Sequence, residues 1–298
     1  MSRADIRPAP TAVSTEPWES TVEHAAVALA GARLAYGDRV LWDGLDLDVA
    51  PGEFVAVLGP NGSGKTSLMR VLLGLQKLSA GTIRVAGAAP GKGNRAIGYI
   101  PQQRAIDPTV AVRGRDLVGL GYDGHRWGLG LAGMRARRQR VDAVLAAVGA
   151  TGFADRPVGL LSGGEQQRLR VAQALVGEPR VLLCDEPLLS LDLAHQRAVS
   201  TLIDRHRRET GSAVLFVTHE INPVLPLVDR VVYLVDGRFR VGTPEQVMTS
   251  ETLSELYRTD VSVVRVRGQI HVVGAHGQLG DLCENGAHHP PHQDTVDH

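Results

Sequence analysis

Residues Gly59-Pro60-Asn61-Gly62-Ser63-Gly64-Lys65-Thr66 place three glycines, a lysine and a hydroxyl at the spacing G-x-x-x-x-G-K-[ST]. Glycines let main-chain N–H groups come close to a phosphate. A helix starting behind the loop adds the positive end of its dipole. Lys65 is expected to reach the β- and γ-phosphates of a nucleotide and Thr66 to ligate Mg²⁺, with Ser67 grouped beside them. A second pattern, Val181-Leu182-Leu183-Cys184-Asp185-Glu186-Pro187, delivers two adjacent carboxylates at the end of an apolar run. Asp185 is placed to hold Mg²⁺, directly or through water, and Glu186 to orient and deprotonate an attacking water.

The elements that must carry these groups follow from periodicity. Val27 to Tyr36 and Val40 to Val49 alternate apolar and polar residues, which predicts antiparallel strands around a turn at Tyr36-Gly37-Asp38. Glu53 to Leu58 is a short apolar run suited to a strand buried on both faces of a parallel sheet. Gly64 to Leu75 has helical spacing. Further strands are expected at Gly81 to Val85, Ala96 to Ile100, Arg180 to Cys184, Ala213 to Thr218, Val231 to Val235 and within Val261 to Val273. Ser162 to Val176 reads as a helix, with Ser162 and Glu165 forming a capping box. Between about Pro108 and Ala150, amphipathic stretches separated by Gly-rich connections read as an inserted helical segment. Strands alternating with helices predict an α/β fold around a parallel sheet.

The chain has 298 residues, 43% hydrophobic and 21% charged, with 32 basic and 32 acidic residues. That balance gives no global field for nucleic acid. The basic runs Arg135 to Arg140 and Arg205 to Arg208 are expected to be solvated helix faces. Two cysteines, Cys184 and Cys283, do not make a disulfide framework and favour a reducing compartment. Met1 to Ser20 lacks the apolar core of a signal peptide. No run of about 18 apolar residues occurs, so no membrane span is expected.

Leu161-Ser162-Gly163-Gly164-Glu165-Gln166-Gln167-Arg168 resembles the signature of ABC-type ATPases. Over about residues 24 to 262 the other elements of that family follow in its order. Tyr36 stands where the family places an aromatic that stacks on adenine. Gln102, after Tyr99-Ile100-Pro101, resembles the Q-loop glutamine, which senses the γ-phosphate and Mg²⁺. Ser190-Leu191-Asp192 resembles the D-loop, and His219 the switch histidine that contacts the γ-phosphate. The resemblance implies ATP and Mg²⁺ as cofactors and a P-loop ATPase core (24–262) with an antiparallel β subdomain and a helical subdomain at about 104–178. It also implies that Ser162, Gly163, Gly164 and Asp192 serve the nucleotide of a second copy in a head-to-tail dimer. Membrane permease subunits and, indirectly, a substrate-binding protein are implied as partners, at the cytoplasmic face of the membrane.

One phosphate loop, one signature and no heptad run favour a transport ATPase over a soluble ABC protein of translation or repair. Thr218-His219-Glu220-Ile221-Asn222-Pro223-Val224-Leu225-Pro226 and the stretch Leu253 to Gly274 resemble the zinc/manganese uptake ATPases. Glu220 stands where that subgroup has Asp, and Ser190-Leu191-Asp192 where it more often has Gly-Val-Asp. An iron chelate or cobalamin is the alternative cargo. Residues 1–23 read as a flexible tail, 263–275 as a strand extension, and 276–298 as a disordered tail rich in zinc-type ligands, His276, Cys283, His288, His289, His292 and His298.

Overall fold

The computed structural model describes residues 25–102, 106–124, 134–189 and 191–274. The two tails, Ser190 and Cys283 lie outside the described residues. The elements run β1 (Val27–Tyr36), β2 (Arg39–Val49), β3 (Phe54–Leu58), α1 (Lys65–Leu72), β4 (Ala80–Val85), β5 (Ile97–Ile100), α2 (Gly114–Asp123), α3 (Met134–Ala147), α4 (Gly163–Leu175), β6 (Val181–Asp185), α5 (Leu193–Thr210), β7 (Ala213–Val217), β8 (Arg230–Val235), β9 (Arg238–Gly242), α6 (Pro244–Val247), α7 (Ser250–Tyr257), β10 (Val261–Val266) and β11 (Gln269–Gly274).

Every residue of β3, β6 and β7 is buried. Runs of Val, Leu and Phe without polar interruption can be buried this way only inside a sheet covered on both faces. These strands are the centre of a six-stranded sheet ordered β5-β6-β7-β3-β8-β9, parallel except at β9. Successive residues go to opposite faces. Val55, Val57, Leu183 and Leu215 meet α1 and the inward side of a separate antiparallel sheet, β2-β1-β4. Phe54, Leu182, Val214 and Phe216 meet α4, α5, α7 and the β10–β11 hairpin. A third cluster, including Val118, Val141, Leu145, Phe153 and Leu169, packs α2 and α3 onto α4. This is the α/β class expected from the sequence.

Several details differ from expectation. The helix expected to run to Leu75 stops at Leu72: Gly74 takes φ 68°, and the amides of Gly74 and Leu75 return to the carbonyls of Val71 and Arg70. That double bond is the Schellman stop, which favours glycine. The helix α5 is long and polar, with a narrow buried stripe at Val199 and Ile203, bounded by the Asp192 cap and by Gly211 at φ 69°. The run Arg205 to Arg208 is solvated at Arg205 and Arg208 but not at Arg207. Arg207 is 8% exposed, pairs with Asp204 at 2.8 Å and Asp229 at 2.7 Å, and donates to the Gly52 carbonyl. A buried guanidinium is tolerated here because carboxylates and a carbonyl take up its fork of donors. In the other basic run, Arg137 and Arg140 pair with Asp123 and Glu178.

Asn222 fastens the C-terminal hairpin. Its Nδ2 donates to the Ile270 carbonyl at 3.0 Å and its Oδ1 accepts from the Ile270 amide at 2.8 Å. Asn222→Ala leaves both buried main-chain groups of Ile270 unsatisfied, which is expected to loosen β11 by about 1–3 kcal/mol. Hydrogen exchange should report this as faster exchange at Ile270, with Phe54 and Leu215 unchanged.

Candidate nucleotide site

β3 ends at Leu58 and α1 begins at Lys65, so Gly59 to Gly64 form the loop between them. Gly59, Gly62 and Gly64 have φ of 139°, 78° and 102°, in the region that favours glycine. Space adds a second reason: a Cβ at Gly59 would lie 2.0 Å from the Leu234 carbonyl oxygen, and one at Gly64 2.9 Å from Trp42 Nε1. No side chain caps the first turn of α1, so its leading N–H groups lack an internal partner. Ser63 Oγ is buried and unpaired. Lys65, 5% exposed, donates from Nζ to the carbonyls of Gly59 at 2.6 Å and Pro60 at 2.9 Å. Burial lowers its pKa, against the opposing charges of Glu186 and Asp185.

Asn61, Gly62, Gly64, Lys65, Thr66 and Ser67 line an open cleft of about 410 Å³ with Tyr36, Arg39, Leu41 and Glu186. The Tyr36 hydroxyl donates to Gln76, and Arg39 donates to the Gly62 carbonyl at 3.0 Å. Arg39 and Leu41 escaped the sequence reading; their nearness to Tyr36 at the turn into β2 was the available signal.

The end of β6 supplies the carboxylates. Asp185 is 3% exposed and accepts a long hydrogen bond, 3.4 Å, from the Tyr99 hydroxyl. Burial and then the neighbouring Glu186 charge raise its pKa. Glu186 has φ 50°, a left-handed backbone at a non-glycine residue. Its Oε2 accepts from Gln102 Nε2 at 2.7 Å and its Oε1 meets His219 Nε2. The hydrogen bond from His219 lowers the Glu186 pKa against burial, so the carboxylate is anionic with a partner on each oxygen.

These residues fit a magnesium–nucleoside triphosphate. Bare amides, an orphaned hydroxyl and an ammonium suit phosphate oxygens. The buried Asp185 carboxylate, with one long hydrogen bond, and the Thr66 hydroxyl on the cleft are the hard oxygen donors that Mg²⁺ takes.

Ser162, Gly163, Gly164 and Asp192 do not line this cleft. Ser162 starts α4 as its cap: its amide and hydroxyl both donate to Glu165 Oε2, and its Oγ accepts from the Glu165 amide. Asp192 caps α5 through the His195 amide and holds His195 Nδ1 at 2.7 Å. The His195 ring stands against Gly164, where a Cβ would lie 3.1 Å away. Among the described residues, no cluster of His, Cys, Asp and Glu could hold a metal ion and no helix is long and apolar enough to cross a membrane.

The family model described as ABC transporter matches residues 42–189. The aliphatic sulfonates import ATP-binding protein of Nocardia farcinica is 40% identical over 235 residues, covering 78% of this chain and 84% of that protein. The chain belongs to the ABC transporter family. It is an ATP-binding subunit of that family and an ATP hydrolase. The zinc import ATP-binding protein of Pseudomonas fluorescens is 34% identical over 266 residues, covering 84% of this cassette and 94% of that one. Relatives named for iron, glycerol phosphate and spermidine/putrescine import match at 38%, 35% and 36% identity, so identity does not set the zinc cassettes apart. Among solved structures, a dimeric, post-hydrolysis ATP-binding cassette bound to ADP and Pi has a TM-score of 0.62 at 27% identity, covering 73% of this chain and 98% of that one.

Proposed function

We propose that this cassette energises an importer as a head-to-tail dimer of identical copies on the cytoplasmic face of the membrane, with separate permease subunits and, through them, a substrate-binding protein. The arrangement around Glu186 carries the reading: an ionised carboxylate, held by His219 and Gln102, on the same cleft as the phosphate loop. Tyr36 stacks on the base. The amides of Gly59 to Gly64, with Lys65, Thr66 and Ser67, bind the phosphates; Lys65 leaves the Gly59 and Pro60 carbonyls to do so. Thr66, Gln102 and Asp185 would hold Mg²⁺, which would neutralise charge on the phosphates. Glu186 takes the proton of the attacking water, while His219 keeps the carboxylate in place. Ser162, Gly163, Gly164 and Asp192, away from the cleft of their own chain, serve the nucleotide of the partner copy. The helical subdomain, about 104–178, has its own core on α4 and docks on the permease.

For cargo, zinc or manganese is the finer reading. The stretches that carry that resemblance, His219 to Pro226 and Leu253 to Gly274, form one unit through Asn222 and Ile270. The zinc relative also aligns over nearly its whole length. Cargo never touches the ATPase, so this rests on kinship and not on coordination. Deleting the gene in a strain without a redundant transporter is expected to lower cell zinc or manganese under metal starvation. Normal metal content with impaired growth on a sulfonate or an iron chelate would reassign the cargo.

A further inference from the structure

Glu186 sits in a backbone conformation that persists only where its surroundings over-determine it. Its amide donates to the Val217 carbonyl at 3.0 Å, and its carbonyl accepts from the Leu189 amide at 3.2 Å. Both bonds come from the sheet and the turn itself. A third restraint comes from elsewhere: the next carbonyl, that of Pro187, accepts from Gln167 Nε2 at 2.9 Å. Gln167 lies on α4, the helix that begins at Ser162-Gly163-Gly164.

Gln167 is fully buried, and its Oε1 has no hydrogen-bond partner. A buried amide with one arm unsatisfied is unfavourable filling for an apolar space. Methionine would occupy similar volume with no orphaned atom. What methionine lacks is the donor to Pro187. The neighbouring Gln166 has a different task. Its Nε2 donates to the Val158 and Leu161 carbonyls and its Oε1 accepts from the Ile106 amide, so it ties the helix to the segments before it and does not reach the Glu186 turn.

We propose that Gln167 is a positioning residue that fixes the strained Glu186–Pro187 turn from α4, so that the placement of this helix sets the placement of the carboxylate. The inference rests on the reading of Glu186 as the base. It makes one rigid body of two sites: the helix start that serves the partner's nucleotide and the turn that presents this chain's own base. Displacement of α4 when the partner's site fills then moves Glu186 through a single buried hydrogen bond.

Gln167→Met and Gln167→Leu both remove the donor and fill the buried space with an apolar side chain. In the full chain, each is expected to lower kcat roughly ten- to a hundredfold, as a misplaced reacting group does. KM for ATP is expected to stay unchanged, as is ATP affinity measured in a Glu186→Gln background. Wild-type kcat in either folded variant overturns the inference. So does a loss in which kcat, ATP affinity and thermal midpoint fall together, because that is packing damage and not positioning. Turnover by Glu186→Gln alone would overturn the base assignment and this inference with it. An inactive Glu186→Gln beside a fully active Gln167→Met would overturn this inference and leave the base assignment standing.

Discussion

Glu186→Gln is expected to bind ATP as the native chain does and to lose turnover by roughly 10²- to 10⁴-fold. The amide keeps the shape of the carboxylate and cannot take the proton of water. Its neighbours Gln102 and His219 are undisturbed in position, since the turn itself is held by the Val217 carbonyl and by Gln167. With hydrolysis stopped, bound nucleotide accumulates, and the dimer it bridges should accumulate with it. Phosphate release in the steady state and sedimentation with ATP measure the two effects on one sample. Native turnover in this variant would place the base at another residue.

Lys65→Ala has the other large expected effect, on binding and not on the chemical step. Lys65 is buried at the loop, and burial already lowers its pKa, so its charge is poorly solvated and gains most from an anion. Removing one partner of a desolvated charge pair costs several kcal/mol, which predicts that ATP affinity falls by roughly two orders of magnitude. Tyr36 lines the same cleft and its hydroxyl is held by Gln76, so binding of adenosine, which has no phosphates, should be unchanged. Calorimetric titration with ATP and with adenosine separates these contributions. Equal loss for both ligands would mean that the loop had collapsed, and native ATP affinity would remove Lys65 from the phosphate site.

The parts of this molecule legible in the sequence are those set by local pattern. β3 and β7 are unbroken apolar runs, β6 is one up to Asp185, and the capping box at Ser162 and Glu165 is a four-residue signal. What escaped depends on partners distant in sequence. Arg207 looked solvated because Asp229, Gly52 and the Phe54 ring meet it only in the fold. The helix α5 buries a narrow stripe, and its polar remainder masks the helical period. β9 is an edge strand with no fully buried residue, so no apolar run marks it. At the site, the loop and the Asp185-Glu186 pair were readable from spacing. The strained backbone of Glu186 and its ties to Gln102, His219 and, through Pro187, Gln167 were not, because they join residues up to 84 positions apart.

In the proposed head-to-tail dimer, one active site is built from two chains. Lys65→Ala damages the phosphate loop, and Ser162→Arg damages the helix start offered to the partner. Each variant alone should be inactive. When they are mixed, a head-to-tail dimer of unlike protomers gathers both lesions in one site and leaves the other intact. Equal mixing should restore ATP hydrolysis toward roughly a quarter of the native level, because half the dimers are mixed and each has one whole site. Steady-state phosphate release across mixing ratios is the measurement, with a maximum expected near equal amounts. No recovery at any ratio from variants that still form mixed dimers, or full hydrolysis by Ser162→Arg alone, would contradict it.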